Sequence, residues 1–369
     1  MKKIAVITNH VDDVICFRKE LIEELYNKGN KIVISCPYGE KIKLLKNIEY
    51  KYDDVKIDRR GTNLLSDLKL FLHYLKFLRK YKPDIILCYT IKPNIYASIA
   101  ARIIKIEYIN NITGFGSILN KGNVLKKVIF RMLKVALKKS KCVFFQNETN
   151  MNLAIKNKLV KENYKLIPGS GVNTEKFKLQ EYPENDDVII FNYIGRVLKE
   201  KGVDDYIEAA KQIKQKYKNT EFNIIGFIEP TESHYIEDFK ELEKQDIIKY
   251  RGEQQDVIPF IKRAHAIIHP SKYGEGMSNV LLENASSGRP IITTNNPGCF
   301  ETVDNEITGY IFEKGNIKEL VKRIEQFINL KHEQKNNMGI LGREKMIKSF
   351  NRKIVINNYL YEIEKAGTL

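Results

Sequence analysis

Nothing in this chain of 369 residues is apolar for long enough to cross a bilayer, which takes about 20 residues in a helix. The apolar run nearest the start, Ile4-Ala-Val-Ile-Thr8, is also too short for the core of a secretion signal, so neither an integral nor an exported protein is expected. Cysteine is sparse. Cys16, Cys36, Cys88, Cys142 and Cys299 form no C-x-x-C and no paired spacing, which argues against a disulfide framework and fits reduced thiols in the cytoplasm. Metal-ligand patterns are missing too. The doublets Asp12-Asp13, Asp53-Asp54, Asp186-Asp187 and Asp204-Asp205 never extend to D-x-D, and no His and Cys cluster has ligand spacing. A catalytic metal is not indicated, and no cofactor is expected.

Acidic residues run short in one half only. Residues 1–180 carry 35 Lys and Arg against 16 Asp and Glu and the remainder 27 against 30, so the net charge of +16 divides into +19 and −3. A basic half joined to a near-neutral one implies that the N-terminal half faces a polyanion, either nucleic acid or an anionic membrane surface.

What is present is material for two full cores: 43% hydrophobic residues and no low-complexity tract. Short runs rich in Val and Ile recur between longer amphipathic segments at Ile4–Thr8, Lys31–Ser35, Asp84–Tyr89, Tyr108–Ile112 and Cys142–Gln146. The rhythm restarts at Val188–Ile194 and continues through Phe222–Ile225, Ile247–Tyr250, Ala266–His269, Pro290–Thr293 and Gly309–Phe312. Strands alternating with helices predict parallel sheets, hence an α/β protein of two doubly wound, Rossmann-like domains. The polar stretch Lys178–Asp187, with Pro183, reads as the linker, which gives domains 1–180 and 181–350; a last helix in 351–369 is free to cross back to the first. Ligands of such sheets bind at the carboxyl ends of the strands, so the expected site is the cleft where the two domains face each other.

Two segments at such strand ends carry chemistry. In Tyr273-Gly-Glu-Gly-Met-Ser-Asn-Val-Leu-Leu-Glu283, Glu275 and Glu283 bracket a glycine and the start of an apolar helix. Ser278 reads as the N-cap, so backbone N–H groups around Gly276, Met277 and Ser278 are expected to point at an anion such as a diphosphate. Gly276 admits close backbone approach, and Glu283 can accept hydrogen bonds from a diol such as ribose. In Ile194-Gly-Arg-Val-Leu-Lys-Glu-Lys-Gly202, a glycine turn after a strand holds Arg196 and Lys201, two cations suited to a leaving diphosphate. Alone, the first segment reads more readily as a capped helix with two surface glutamates and the second as a solvated basic loop; together on one sheet they read as a site.

Gly195-Arg196, Lys201-Gly202, Glu275-Gly276 with Glu283, Pro168-Gly-Ser-Gly-Val-Asn-Thr-Glu-Lys-Phe177 and Pro297-Gly-Cys-Phe-Glu301 together resemble the GT-B retaining glycosyltransferases of family 4, above all the bacterial capsular, O-antigen and N-glycan assembly enzymes. The resemblance implies that Arg196 and Lys201 bind the donor diphosphate, Glu283 the ribose and Glu275 the transferred sugar, with Gly195, Gly276, Met277 and Ser278 around them and Gly252 and Glu253 beside the nucleobase. The N-terminal half matches through Phe17-Arg18, Thr90-Ile-Lys-Pro-Asn94 and Ile112-Thr-Gly-Phe-Gly-Ser117. It departs at the first loop, where many members have paired glycines and this chain has Asn9-His-Val-Asp-Asp-Val14, and it lacks a histidine after the fourth or fifth strand. On the acceptor side the candidates are His10, at a strand's carboxyl end, Lys92, and Thr113 with Gly114. His265 and His269 flank an apolar strand and read as structural.

The segment Asn123–Lys139 contains no acid. Lys127, Arg131, Lys134 and Lys138 recur at steps of four, three and four beside an apolar arc of Leu125, Ile129, Met132, Leu133 and Ala136, a basic amphipathic helix suited to an anionic membrane. The expectation is a UDP-sugar-dependent hexosyl or N-acetylhexosaminyl transferase acting on a polyprenyl-diphosphate-linked saccharide, peripheral on the inner face of the cytoplasmic membrane. A sugar-nucleotide epimerase of the same fold is the nearer rival. A nucleic-acid-binding protein is the weaker one, since the basic half lacks interleaved aromatic residues.

Overall fold

The structure, a computed structural model, describes residues 1–58, 61, 63–116 and 122–366. It divides into two compact units, Met1–Ser170 with Lys353–Leu369, and Gly171–Arg352.

The first unit is built on a parallel sheet of seven strands: β1 (Lys3–Ile7), β2 (Lys31–Cys36), β3 (Tyr50–Asp54), β4 (Ile85–Tyr89), β5 (Glu107–Ile112), β6 (Val143–Phe145) and β7 (Tyr164–Leu166), in the order β3-β2-β1-β4-β5-β6-β7. The inner strands are apolar on both faces because helices cover both. Ile4 and Val6 enter one core with Leu21, Ile22, Val355 and Tyr359, while Ala5 and Ile7 enter another with Leu70, Tyr74 and Ala97. Strand order reverses between β1 and β4, where Ile7 pairs with Cys88. β3 and β7 were not legible as apolar runs: Tyr-Lys-Tyr-Asp-Asp and Tyr-Lys-Leu form the two sheet edges, where burial demands less apolar sequence.

The second unit carries a six-stranded parallel sheet: β8 (Ile189–Ile194), β9 (Thr220–Ile225), β10 (Lys249–Tyr250), β11 (Ala266–His269), β12 (Ile291–Thr294) and β13 (Gly309–Phe312), in the order β10-β9-β8-β11-β12-β13. Its switch point falls between β8 and β11.

The units part at Ser170 and Gly171, ahead of the Lys178–Asp187 stretch expected as linker. That stretch is tied into the second unit. The buried guanidinium of Arg289 donates to the Gln180 carbonyl, the Tyr182 hydroxyl donates to the His265 carbonyl at 3.0 Å, and Asp186 pairs with Lys335 at 2.6 Å. The last helix, Arg352–Lys365, crosses back: Val355, Tyr359 and Ile363 pack with β1, β2 and β4. The Tyr359 hydroxyl accepts from Asn111 Nδ2 at 2.7 Å, and Lys165 pairs with Glu362 at 2.6 Å.

Candidate active site

The carboxyl ends of β8 and β11 lie side by side at the switch point of the second sheet, where the crevice of such a sheet opens. After β8 the chain runs through Gly195 and Arg196 into a short 3-10 turn, Lys199–Lys201. After β11 it runs through Ser271–Met277 into the helix Asn279–Ser286. The two loops are tied by the Lys272 N–H to the Glu200 carbonyl at 2.9 Å and by an ion pair between Lys201 and Glu275. Lys201 also lies over the Tyr273 ring, 5.3 Å from its centre. Arg196 pairs with Glu229 at 2.6 Å. Both cations expected to meet a diphosphate thus stand on the loop after β8, and each is matched with a carboxylate.

The helix Asn279–Ser286 buries Leu281, Leu282 and Ala285 in the core beneath the site. Ser278 occupies its N-cap position, but its hydroxyl makes no capping bond and lies instead 3.2 Å from His269 Nε2. The Ser278 N–H, expected to face an anion, donates to the Gly298 carbonyl at 2.8 Å. Gly298 has φ of +83°, and a Cβ there would meet the Gly276 carbonyl oxygen at 2.9 Å and the Glu275 Cβ at 2.7 Å. Its own N–H donates to Glu301 at 2.7 Å. The Pro297–Glu301 turn therefore sits directly against the Glu275–Ser278 loop, a closeness only glycine allows.

His269 ends β11 and is buried; desolvation, with Lys201 close by, pushes its ring down to about 4, so the imidazole is neutral. A neutral ring whose Nε2 meets Ser278 holds the loop that carries Glu275. His10 is therefore not the one histidine at the carboxyl end of a strand, since His269 is the last residue of β11. Glu283 lies within the helix, close enough to Lys176 and Arg352 to feel their charge. Burial raises its carboxyl to about 7, against the opposing pull of those two cations. Lys176 lies within the Pro168–Phe177 segment, and neither it nor Arg352 was singled out beforehand. Gly252, whose carbonyl accepts from the Gly226 N–H at 2.8 Å, and the exposed Glu253 follow β10 on the far side of β9.

In the first unit, His10 caps the helix Val11–Phe17, its Nδ1 accepting from the Asp12 N–H at 3.2 Å. Lys92 is largely buried in an ion pair with Asp67 at 2.6 Å. Thr113 and Gly114 follow β5 half-buried, and Ser117 of the same segment lies outside the described residues. Lys127, Arg131, Lys134 and Lys138 are all exposed along or just after the helix Asn123–Leu137, whose Phe130, Leu133, Ala136 and Leu137 are buried. Among the described residues no helix is long and apolar enough to cross a membrane, and no cluster of His, Cys, Asp and Glu is arranged to hold a metal ion.

Comparison with known proteins bears on both units. The family described as "Glycosyl transferases group 1" matches residues 174–345, and the one described as "Glycosyl transferase 4-like" matches residues 3–147, so that between them they span most of the chain. The capsular polysaccharide biosynthesis glycosyltransferase CapM of Staphylococcus aureus is 29% identical over 90% of each chain. The N,N'-diacetylbacillosaminyl-diphospho-undecaprenol alpha-1,3-N-acetylgalactosaminyltransferase of Campylobacter jejuni is 25% identical over 87% of this chain and 88% of its own. Among solved structures, Anabaena HepE in complex with UDP and glucose superimposes with a TM-score of 0.80 at 15% identity, over 99% of this chain and 100% of that one.

Proposed function

Because the chain belongs to the family 4 type of GT-B glycosyltransferases, we propose that it moves a hexose or N-acetylhexosamine from a UDP-sugar to a polyprenyl-diphosphate-linked saccharide, with retention of anomeric configuration. The observation that carries this reading is the pairing of Lys201 with Glu275 across the two loops that leave β8 and β11 at the switch point of the second sheet, with Arg196 on the first of those loops. A UDP-bound neighbour of the same fold and a relative named for an undecaprenol-linked substrate favour the nucleotide and the acceptor class.

In the proposed reaction the bond between the sugar C1 and the diphosphate oxygen breaks. The acceptor hydroxyl oxygen bonds to C1 on the face that UDP leaves, and its proton passes to the departing phosphate. Arg196 and Lys201 meet the charge that grows on the diphosphate, and Glu283 holds the ribose. Glu275 orients the transferred sugar, so catalysis is chiefly positioning and charge stabilisation. Since side chains supply the positive charge, turnover is expected to persist in excess EDTA; loss on chelation with recovery in Mn²⁺ or Mg²⁺ would contradict this. The exposed stripe at Lys127, Arg131, Lys134 and Lys138 favours a peripheral position on an anionic membrane, at the inner face where such acceptors are assembled.

The test is a panel of UDP-sugars with a crude polyprenyl-diphosphate saccharide extract, read by UDP release and by the mass of the lipid product. Release that depends on the extract, with a gain of one hexose or N-acetylhexosamine, is expected. Conversion of a UDP-sugar to its epimer without acceptor would replace this reading with the epimerase.

A further inference from the structure

The first sheet has its own switch point, between β1 and β4, and three polar residues of the segments that leave those strands, Asn9, Arg18 and Thr90, are not used by the site described above. Asn9 and Thr90 stand at matching positions, each two residues beyond the paired Ile7 and Cys88. Asn9 Oδ1 and Thr90 Oγ1 are buried, and neither has a hydrogen-bond partner. Thr90 also adopts φ of 65° and ψ of 166°, a conformation that a β-branched residue reaches only under strain imposed by its surroundings.

Arg18 is 5% exposed, and its guanidinium lies over the Tyr89 ring at 4.4 Å. It donates from Nη1 to the Phe17 carbonyl at 2.9 Å, while Nε is buried without a partner. Among the described residues no carboxylate pairs with it. The acids of the adjoining turn are engaged elsewhere: Asp12 with Lys41 at 3.0 Å and with His10, Asp13 with the Thr8 hydroxyl at 2.7 Å. A guanidinium withdrawn from water with no counter-anion is strongly disfavoured, and its planar fork matches a phosphoryl group better than any other common anion except a carboxylate.

We propose that Arg18 and Thr90 bind a phosphoryl oxygen of a sugar diphosphate, with Asn9 Oδ1 accepting from one of its hydroxyls. One ligand supplies both kinds of partner: anionic oxygens for the guanidinium and the threonine hydroxyl, and a hydroxyl donor for the orphaned amide oxygen. The assignment rests on the glycosyl-transfer reading, in which donor and acceptor are both sugar diphosphates, and kinetics decides which of them Arg18 holds.

The test uses the full chain carrying Arg196→Ala and Lys201→Ala, which removes the cations of the second unit's site, with inorganic pyrophosphate as the probe in titration calorimetry. Pyrophosphate still binds this chain, and adding Arg18→Gln weakens it tenfold or more, with Arg18→Lys between the two. No binding by the folded parent, or an affinity that Arg18→Gln leaves unchanged, overturns the proposal. Should Arg18→Gln melt far below its parent, Thr90→Gly takes its place, since it relieves the strained φ and removes the hydroxyl. A threefold or greater loss is then expected, and no loss overturns. In the chain with Arg196 and Lys201 intact, a rise in KM confined to the lipid-linked acceptor assigns its diphosphate, and one confined to the UDP-sugar assigns the donor's. Pyrophosphate binding that depends on Arg18 in a chain that transfers no sugar would sink the proposed reaction and leave this subsite standing.

Discussion

Arg196 and Lys201 each hold a carboxylate, so a diphosphate has to displace or share Glu229 and Glu275 before either cation can serve it. The exchange is favourable because phosphoryl oxygens offer charge-assisted hydrogen bonds of the same kind with more negative charge. Removing either cation leaves growing charge on the leaving group unmet. Arg196→Ala and Lys201→Ala are each expected to lower kcat about 10²-fold, by analogy with the loss of one preorganised donor. Neither should shift Tm by more than a few degrees, and steady-state kinetics beside thermal melts checks both.

Glu283 yields a prediction whose sign follows from its raised carboxyl. Folding lifts it from the ordinary 4.5 to about 7 by burial. Between those values the unfolded chain sheds a proton that the folded chain keeps, so this group's contribution to stability is full below 4.5, falls as pH rises through 7, and stays low above. Glu283→Gln removes the penalty. It should melt higher than wild type at pH 8, by a stability ceiling of about 3 kcal/mol, with the gap closing below pH 4.5. The same variant should bind UDP more weakly, because an ionised carboxylate is the better acceptor for ribose hydroxyls. Equal UDP affinity at pH 8 would remove the ribose assignment.

At the scale of elements, the loop Ser271–Ser278 is held from three sides: by Lys201 on its Glu275, by His269 beneath Ser278, and by the Pro297–Glu301 turn against Gly276. Gly298→Ala forces a Cβ into that contact and also imposes a left-handed φ on an L-residue. Gly252, with φ of +66° and open space where a Cβ would go, isolates the second effect. Gly252→Ala should cost about 1–2 kcal/mol, the price of the conformation alone, and Gly298→Ala should cost more and depress kcat by displacing Glu275. Equal melting of the two variants would show that the contact at Gly298 relaxes without effect.

Most elements were legible because interior strands of a parallel sheet must be apolar on both faces, and Ile4–Ile7 or Ala266–His269 cannot hide that. β3 and β7 escaped since edges need less apolar sequence. The cations and carboxylates of the site were legible because chemistry fixes their type. Ser278 shows the limit: sequence gives the residue its place at the helix start, while the partners of its hydroxyl and N–H, His269 and Gly298, come from strands and turns far along the chain. Arg18 is legible only through a resemblance, since sequence cannot reveal that a cation is buried without an acid.

At the scale of the molecule, charge follows the structural division. Met1–Ser170 with Lys353–Leu369 carries 35 Lys and Arg against 17 Asp and Glu, leaving a deficit of positive charge in Gly171–Arg352, with 27 against 29. Within the basic unit the helices Leu64–Tyr81, Ile91–Ile104 and Asn123–Leu137 pack side by side on one face of the sheet. Each helix runs back along a parallel strand, so all three begin at the sheet's carboxyl edge. There Leu64 is 83% exposed, Leu65 71% and Val124 79%, near the start of the Lys127, Arg131, Lys134 and Lys138 stripe. Four cations worth about 1 kcal/mol each at an anionic surface add roughly 4 kcal/mol if all engage. That part of the binding weakens as salt shortens the Debye length below about 8 Å. The exposed leucines add an apolar part that salt does not screen. Cosedimentation with anionic vesicles is therefore expected, with little on neutral ones and partial release at high salt. Replacing the four cations by Gln should lower vesicle binding and turnover on lipid-linked acceptor while leaving UDP-sugar affinity unchanged. If that variant sediments as wild type does, the stripe is only a solvated edge, and the excess charge of this unit serves another surface.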